Sequence, residues 1–213
     1  MSHIHQSNRV RLHVPKDAIF IIIRHGETAL NHNDEIRGWL DVPLDEGGKK
    51  RAAQTGKELR NKGIYGLLAS DLKRTRETAE IISKVSDIPI LETAHWLRPW
   101  NVGKFTAKPV KEVIAEIHDY ASEKPLTQIP DGESFQEFKN RFLEGIESAR
   151  MMYSDKVIGL VTHHRNDRLF AAWEKEGCPK NKSIDFSVLF QEGIQPGHWR
   201  REGEQIETPK RDS

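Results

Sequence analysis

The stretch AIFIIIRHGET, residues 18–28, decides the fold. Its first six residues are apolar and mostly β-branched, with no polar residue alternating between them. Such a run is a strand buried on both faces, the pattern of a parallel sheet covered by helices. It ends abruptly in Arg24-His25, so the chain passes from core to chemistry within one residue.

Downstream of that stretch, Asp45 is placed to cap a helix in which Ala52, Gly56 and Leu59 fall at i, i+4 and i+7, with Gly63 as its stop. Residues 64–70 read as a second strand. Asp71 then caps a helix with Thr75, Ala79 and Ile82 facing inward, and residues 88–91 form a short third strand. Pro109 opens a helix carrying Val110, Val113, Ile114 and Ile117 on one side. Ser134 and Glu137 make a capping box before a stripe of Phe135, Phe138, Phe142, Ile146 and Ala149. Residues 157–162 read as a buried strand, 165–175 as a helix, and 187–190 with 198–201 as closing edge strands. This alternation predicts an α/β fold, a three-layer sandwich with a mostly parallel central sheet and helices on both faces.

Composition narrows the function. The 213 residues carry 33 Lys plus Arg against 32 Asp plus Glu, a formal charge of +1, which is not the footprint of a general nucleic-acid binder. The longest apolar run, residues 18–23, is far too short to span a membrane, and the polar N-terminus has no secretory h-region. A single cysteine, Cys178, excludes an internal disulfide and fits a reducing cytoplasmic setting. Residues 17–203 read as one domain, 1–16 as a flexible arm bearing His3 and His5, and 204–213 as a polar tail.

Ligands of open α/β sheets bind outside the carboxyl ends of the strands. Residues 24–28 follow the first strand, Ser70-Asp71-Leu72-Lys73-Arg74 the second, and His163-His164 the late one. Two arginines and two histidines converging there suit a doubly charged anion, and phosphate fits best, because each guanidinium fork matches two of its oxygens. A histidine between guanidinium groups is kept neutral and nucleophilic, so attack on phosphorus gives a phosphohistidine. The arginines and His163 stabilise charge on the equatorial oxygens, leaving no obligatory role for a metal or other cofactor.

RHGETALN at 24–31, GWLDVPLDEGG at 38–48, SDLKRTRETA at 70–79, PDGESF at 130–135 and VTH at 161–163 together resemble the histidine phosphatase superfamily, in its phosphoglycerate-mutase-like branch. The resemblance implies that fold, with His25 as the phosphorylated nucleophile. It also implies that Arg24, Arg74 and His163 hold the phosphoryl group, and that Asn31 and Thr28 line the pocket or stand behind it. The implied partner is a small phosphorylated substrate or a phosphoprotein, with no nucleic acid or membrane. The family usually has Gly after the second histidine. His164 and Arg165 depart from this, either as substrate contacts or as surface groups.

The match weakens at one block. Where family members usually read L-R-E-x-x-x-G, this chain has Leu97-Arg98-Pro99-Trp100-Asn101-Val102-Gly103, so Pro99 occupies the place of the glutamate that protonates the leaving oxygen. Glu133 is the leading replacement, with positioning of its loop as its other role; Glu35 stands behind it. The altered block and the lack of long mutase insertions favour a metal-independent phosphomonoester hydrolase, resembling the histidine acid phosphatases. The alternatives are a mutase-like phosphoryl transferase and a weakly catalytic module that binds phosphorylated ligands.

Overall fold

The computed structural model describes residues 16–204. His3 and His5, nearly all of the expected N-terminal arm, and the C-terminal tail beyond Glu204 lie outside that range.

The elements run β1 (Ile19–Arg24), α1 (Ala29–His32), α2 (Glu46–Leu59), β2 (Ile64–Ser70), α3 (Lys73–Ser86), β3 (Ile90–Ala94), α4 (Val110–Ser122), α5 (Phe135–Met152), β4 (Val157–Thr162), α6 (His164–Lys175), α7 (Phe186–Leu189) and β5 (Trp199–Arg201). The sheet has five strands in the order β3-β2-β4-β1-β5, parallel except for the antiparallel edge strand β5.

Strand pleating sorts β1 between two cores. Phe20 and Ile22 join Val113 and Ile117 of α4, Phe138 and Phe142 of α5, and Leu169 and Phe170 of α6. Ile21 and Ile23 join Leu59 of α2 with Ala79 and Ile82 of α3. The three layers and the mostly parallel sheet are therefore as expected. No helix among the described residues is long and apolar enough to cross a membrane.

Three local expectations are corrected. Residues 187–190 fall within and just after a helical turn, α7, and form no strand: Asp185 accepts from the Ser187 backbone N–H at 2.8 Å, and Val188 and Leu189 are buried. A four-residue apolar run cannot distinguish strand from helix by periodicity, and here the cap decides. Asp71 does not cap α3, whose N-cap is Leu72, because its carboxylate is taken by the Arg98 guanidinium at 2.7 and 2.9 Å. The third strand is 90–94 rather than 88–91, since Pro89 brings no N–H to the ladder.

Because β4 lies between β1 and β2, the sequence-distant ends of all three strands are adjacent. Arg24 pairs with Thr162, and the His25 N–H donates to the Thr162 carbonyl at 3.0 Å. The turn after β1 is then pressed against the start of α2. A Cβ on Gly26 would lie 2.6 Å from the Gly48 carbonyl oxygen, and one on Gly48 would collide with the Glu27 backbone. Asp45 secures that helix start by accepting from the Gly48 N–H at 2.7 Å. Gly48→Ala is accordingly expected to cost about 1–3 kcal/mol in chemical denaturation, with weaker binding of phosphate mimics, because the histidine-bearing turn must move. Unchanged values in both measurements would show that this approach constrains nothing.

Candidate active site

Arg24, His25, Asn31, Arg37, Arg74 and His163 line one cleft of about 410 Å³ at the strand ends. His25 and His163 are each 3% exposed, with ring centroids 5.2 Å apart. His25 Nδ1 lies 2.6 Å from the Gly26 carbonyl oxygen. A carbonyl only accepts, so Nδ1 carries the proton and Nε2 keeps its lone pair. Burial, then the charges of Arg74, Arg24 and Arg37, hold the His25 pKa well below its ordinary value. The same imidazole is thus a neutral base with a defined reactive nitrogen. His163 is also held neutral, by burial and then chiefly by Arg74. Its Nε2 meets the Ser70 hydroxyl at 3.0 Å while Nδ1 has no partner.

Backbone carbonyls anchor two of the cations. Arg74 donates to the carbonyls of Leu40 at 2.6 Å and Gly38 at 3.0 Å, and Arg24 to that of Ile194 at 2.9 Å. Arg24 Nε, Arg37 Nη1 and Arg74 Nε are buried nitrogens with no protein partner. Buried donors are nearly always bonded. The three guanidinium groups that carry them all line the cleft that holds His25, and that set suits one ligand with several acceptor oxygens. Burial and the neighbouring Arg37 lower the pKa of Arg24 to about 10 and of Arg74 to about 9, leaving both charged at neutral pH.

The family model described as histidine phosphatase superfamily (branch 1) matches residues 20–203. The chain belongs to the histidine phosphatase superfamily. A protein of Escherichia coli O1:K1 named "Probable phosphoglycerate mutase GpmB" is 32% identical over 146 residues, 67% of each chain. Among solved structures, alpha-ribazole phosphatase from Shigella flexneri aligns with a TM-score of 0.67 at 21% identity, over 86% of this chain and 89% of that one. Mycobacterial glucosyl-3-phosphoglycerate phosphatase, complexed with VO3, also aligns at 0.67, with 20% identity over 86% and 92% of the two chains. These two structures share the fold.

In this member of the superfamily, Pro99 lines the cleft at the position where the resemblance leads one to expect an acid. Glu133 does not reach the cleft. Its carboxylate accepts from the Asn101 N–H at 2.9 Å and from Arg141 Nη2 at 2.7 Å, tying its loop to the 97–103 block. Thr28 is likewise away from the cleft, fully buried with its hydroxyl donating to Asn31 Oδ1 at 2.9 Å. Asn31 itself lines the site, and so do His164 and Arg165; the carboxylates that line it are those of Asp34 and Glu35.

Sequence reasoning missed Arg37, although it is a basic residue just before the Gly38-Trp39 block and in the loop after the nucleophile. It also missed Ser70, which orients His163, and Thr78, whose hydroxyl accepts the Gly26 N–H at 3.1 Å and donates to the Arg74 carbonyl at 2.7 Å.

A stability consequence follows from the two neutral histidines. Their folded pKa values lie well below 6.5, whereas the unfolded chain returns them to about 6.5, so the unfolded state binds protons first as pH falls. Their contribution is fully present above that pH and declines below it, by up to about 1.4 kcal/mol per pH unit for each histidine. Urea denaturation across a pH series is expected to show this fall, and His163→Gln to make it shallower; an equally steep fall in the variant would locate the effect elsewhere.

Proposed function

We propose that the protein hydrolyses phosphomonoesters through a covalent phosphohistidine on His25. The observation that carries this reading is the hydrogen bond from His25 Nδ1 to the Gly26 carbonyl. It leaves Nε2 as a neutral nucleophile in a cleft lined by buried arginine donors. In the first step the Nε2 lone pair attacks phosphorus, the P–O ester bond breaks with its electron pair on the leaving oxygen, and that oxygen takes a proton from solvent water, which the proton released from the attacking water in the second step restores. In the second, water attacks the phosphohistidine, the P–N bond breaks, and phosphate leaves with His25 neutral again. Arg24, Arg37, Arg74 and His163 hold the equatorial oxygens in both steps, a preorganised electrostatic role that needs no bound metal.

Transfer of the phosphoryl group to a second hydroxyl is the rival reading, and the E. coli relative's name favours it. Pro99 weighs against it, because a mutase must protonate and deprotonate alkyl oxygens in both directions. General acid catalysis contributes about 10²- to 10⁴-fold, and most where the leaving group is poor. With a proline at that position, the enzyme is expected to favour aryl over simple alkyl phosphates steeply.

Rapid acid-free quenching with labelled substrate is expected to place the phosphoryl group on His25, with His25→Ala inactive, and turnover is expected to survive EDTA. Label on His163 with an active His25→Ala variant would overturn the nucleophile, and loss in EDTA restored by one divalent ion would overturn the metal-free mechanism. Glu133→Gln is expected to lower stability by about 1–2 kcal/mol and leave the aryl-to-alkyl rate ratio unchanged. A selective loss on alkyl substrates would instead make Glu133 the acid.

A further inference from the structure

The cleft that holds His25 extends beyond the phosphoryl site, and its extension has its own chemistry. Two sets of charges act on the cleft histidines. Burial first, and then guanidinium charge, lowers the pKa of all four: Arg24, Arg37 and Arg74 act on His25 and His163, Arg165 on His118, and Arg24, Arg165, Arg168 and Arg37 on His164. His164, in contact with Arg24 and next to Arg165 along the same cleft, joins the reaction centre to a second cationic region.

That region is built from two elements that the catalytic reading does not use. Arg165 and His164 begin α6, and His118 comes from α4 with its ring against Phe190, centroids 3.9 Å apart. Arg24 Nη1 lies 3.3 Å from His164 Nδ1. A guanidinium only donates, so Nδ1 accepts and the imidazole carries its proton on Nε2 as a further donor. Arg165 lines the cleft, and no carboxylate among the described residues pairs with it. Burial alone lowers its pKa to about 10. Arg37, by contrast, has Asp34 nearby, and the buried Arg200 is paired with Asp167 and Glu174. Arg165 is thus a partly buried cation with no carboxylate partner among the described residues. Val110, Ile114, Ile117, Leu189 and Phe190 line the same cleft and present it with an apolar wall.

We propose that Arg165, His164 and His118 form a second anion subsite, and that the natural substrate is a phosphomonoester whose leaving group carries a second anionic group, carboxylate or phosphate, on an apolar body. This rests on the hydrolase reading and adds a specificity determinant to it. The substitution of His164-Arg165 after the late strand then has a function: His164 ties the phosphate-holding Arg24 to the subsite that reads the rest of the substrate.

The test compares kcat/KM for p-(carboxymethyl)phenyl phosphate with that for its methyl ester, whose leaving group has similar reactivity, because the methylene insulates the ring, but no second charge. Hydroquinone bisphosphate serves as the arm with a second phosphate. The wild-type protein is expected to prefer at least one charged substrate over the ester by about tenfold or more, the worth of one charge-assisted contact. Arg165→Gln is expected to bring that ratio close to one, and Arg165→Lys to retain part of it. Whichever charged substrate is favoured more identifies the second group. Because the ratio is taken within each protein, lost folded fraction cancels. A wild-type ratio near one for both charged substrates, or a ratio unaltered in Arg165→Gln, overturns the subsite. If none of the three esters is hydrolysed, the hydrolase reading fails, and the subsite is then decided by calorimetric titration with p-carboxybenzylphosphonate and its methyl ester. A tenfold affinity difference that Arg165→Gln abolishes supports it, and equal affinities overturn it.

Discussion

Arg24, Arg37 and Arg74 share one end of a cleft with the His25 imidazole, and holding them there is the constraint on which the rest of the structure depends. Like charges in a partly buried site repel, and the usual remedy is a carboxylate beside each. Here the hydrogen bonds that fix Arg24 and Arg74 go to backbone carbonyls of residues 38, 40 and 194, while carboxylates act on them through space, Asp167 and Glu27 on Arg24 and Asp41 on Arg74. Carbonyl dipoles fix a guanidinium in direction without cancelling its charge. The charge stays available to a phosphoryl group, and burial together with its field keeps His25 and His163 neutral.

Those carbonyls must themselves be held. Ile194 donates its N–H to Asp167 Oδ2 at 3.2 Å, and Asp167, fully buried, is paired with Arg200 of the edge strand at 2.7 Å. The antiparallel strand β5 thereby does more than close the sheet, since it supports the loop that positions Arg24. On the other side, Trp39 donates to the Pro99 carbonyl at 2.8 Å, and the Arg98 guanidinium stacks on the Trp39 ring 4.7 Å from its centroid while binding Asp71. Arg141 gathers the carbonyls of residues 95, 96, 98 and 99, and Glu133 balances its charge. The 97–103 block is therefore a structural hub held through its backbone groups by Trp39, Arg141 and Glu133, and Glu133 is committed to it.

The legible parts of the fold and the site were those encoded locally. The β-branched run before Arg24, the Asp45 cap and the Ser134-Glu137 capping box each depend on neighbours within a turn or a strand, and each is present in the structure. Asp71 was misread because its carboxylate had two suitors, the nearby helix N-terminus and Arg98, 27 residues away; the charged, bidentate one won. Arg37 went unnoticed because nothing in its neighbours marks it. Its significance comes from facing Arg74 and His25, which arrive from other strand ends.

By itself, then, the sequence determined the layered α/β class, the strand that delivers Arg24 and His25, and the absence of a carboxyl group at position 99. These follow from periodicity, capping chemistry and residue identity, which act over short stretches of chain. Only the tertiary structure decided which carboxylates face the cleft, that Thr28 and Glu133 do not, and that Arg37, His118 and Arg165 do. The physical reason is that these side chains are placed by long-range closure: insertion of β4 between β1 and β2 brings distant strand ends together, and competition among distant partners then settles which charges are neutralised and which are left for a ligand.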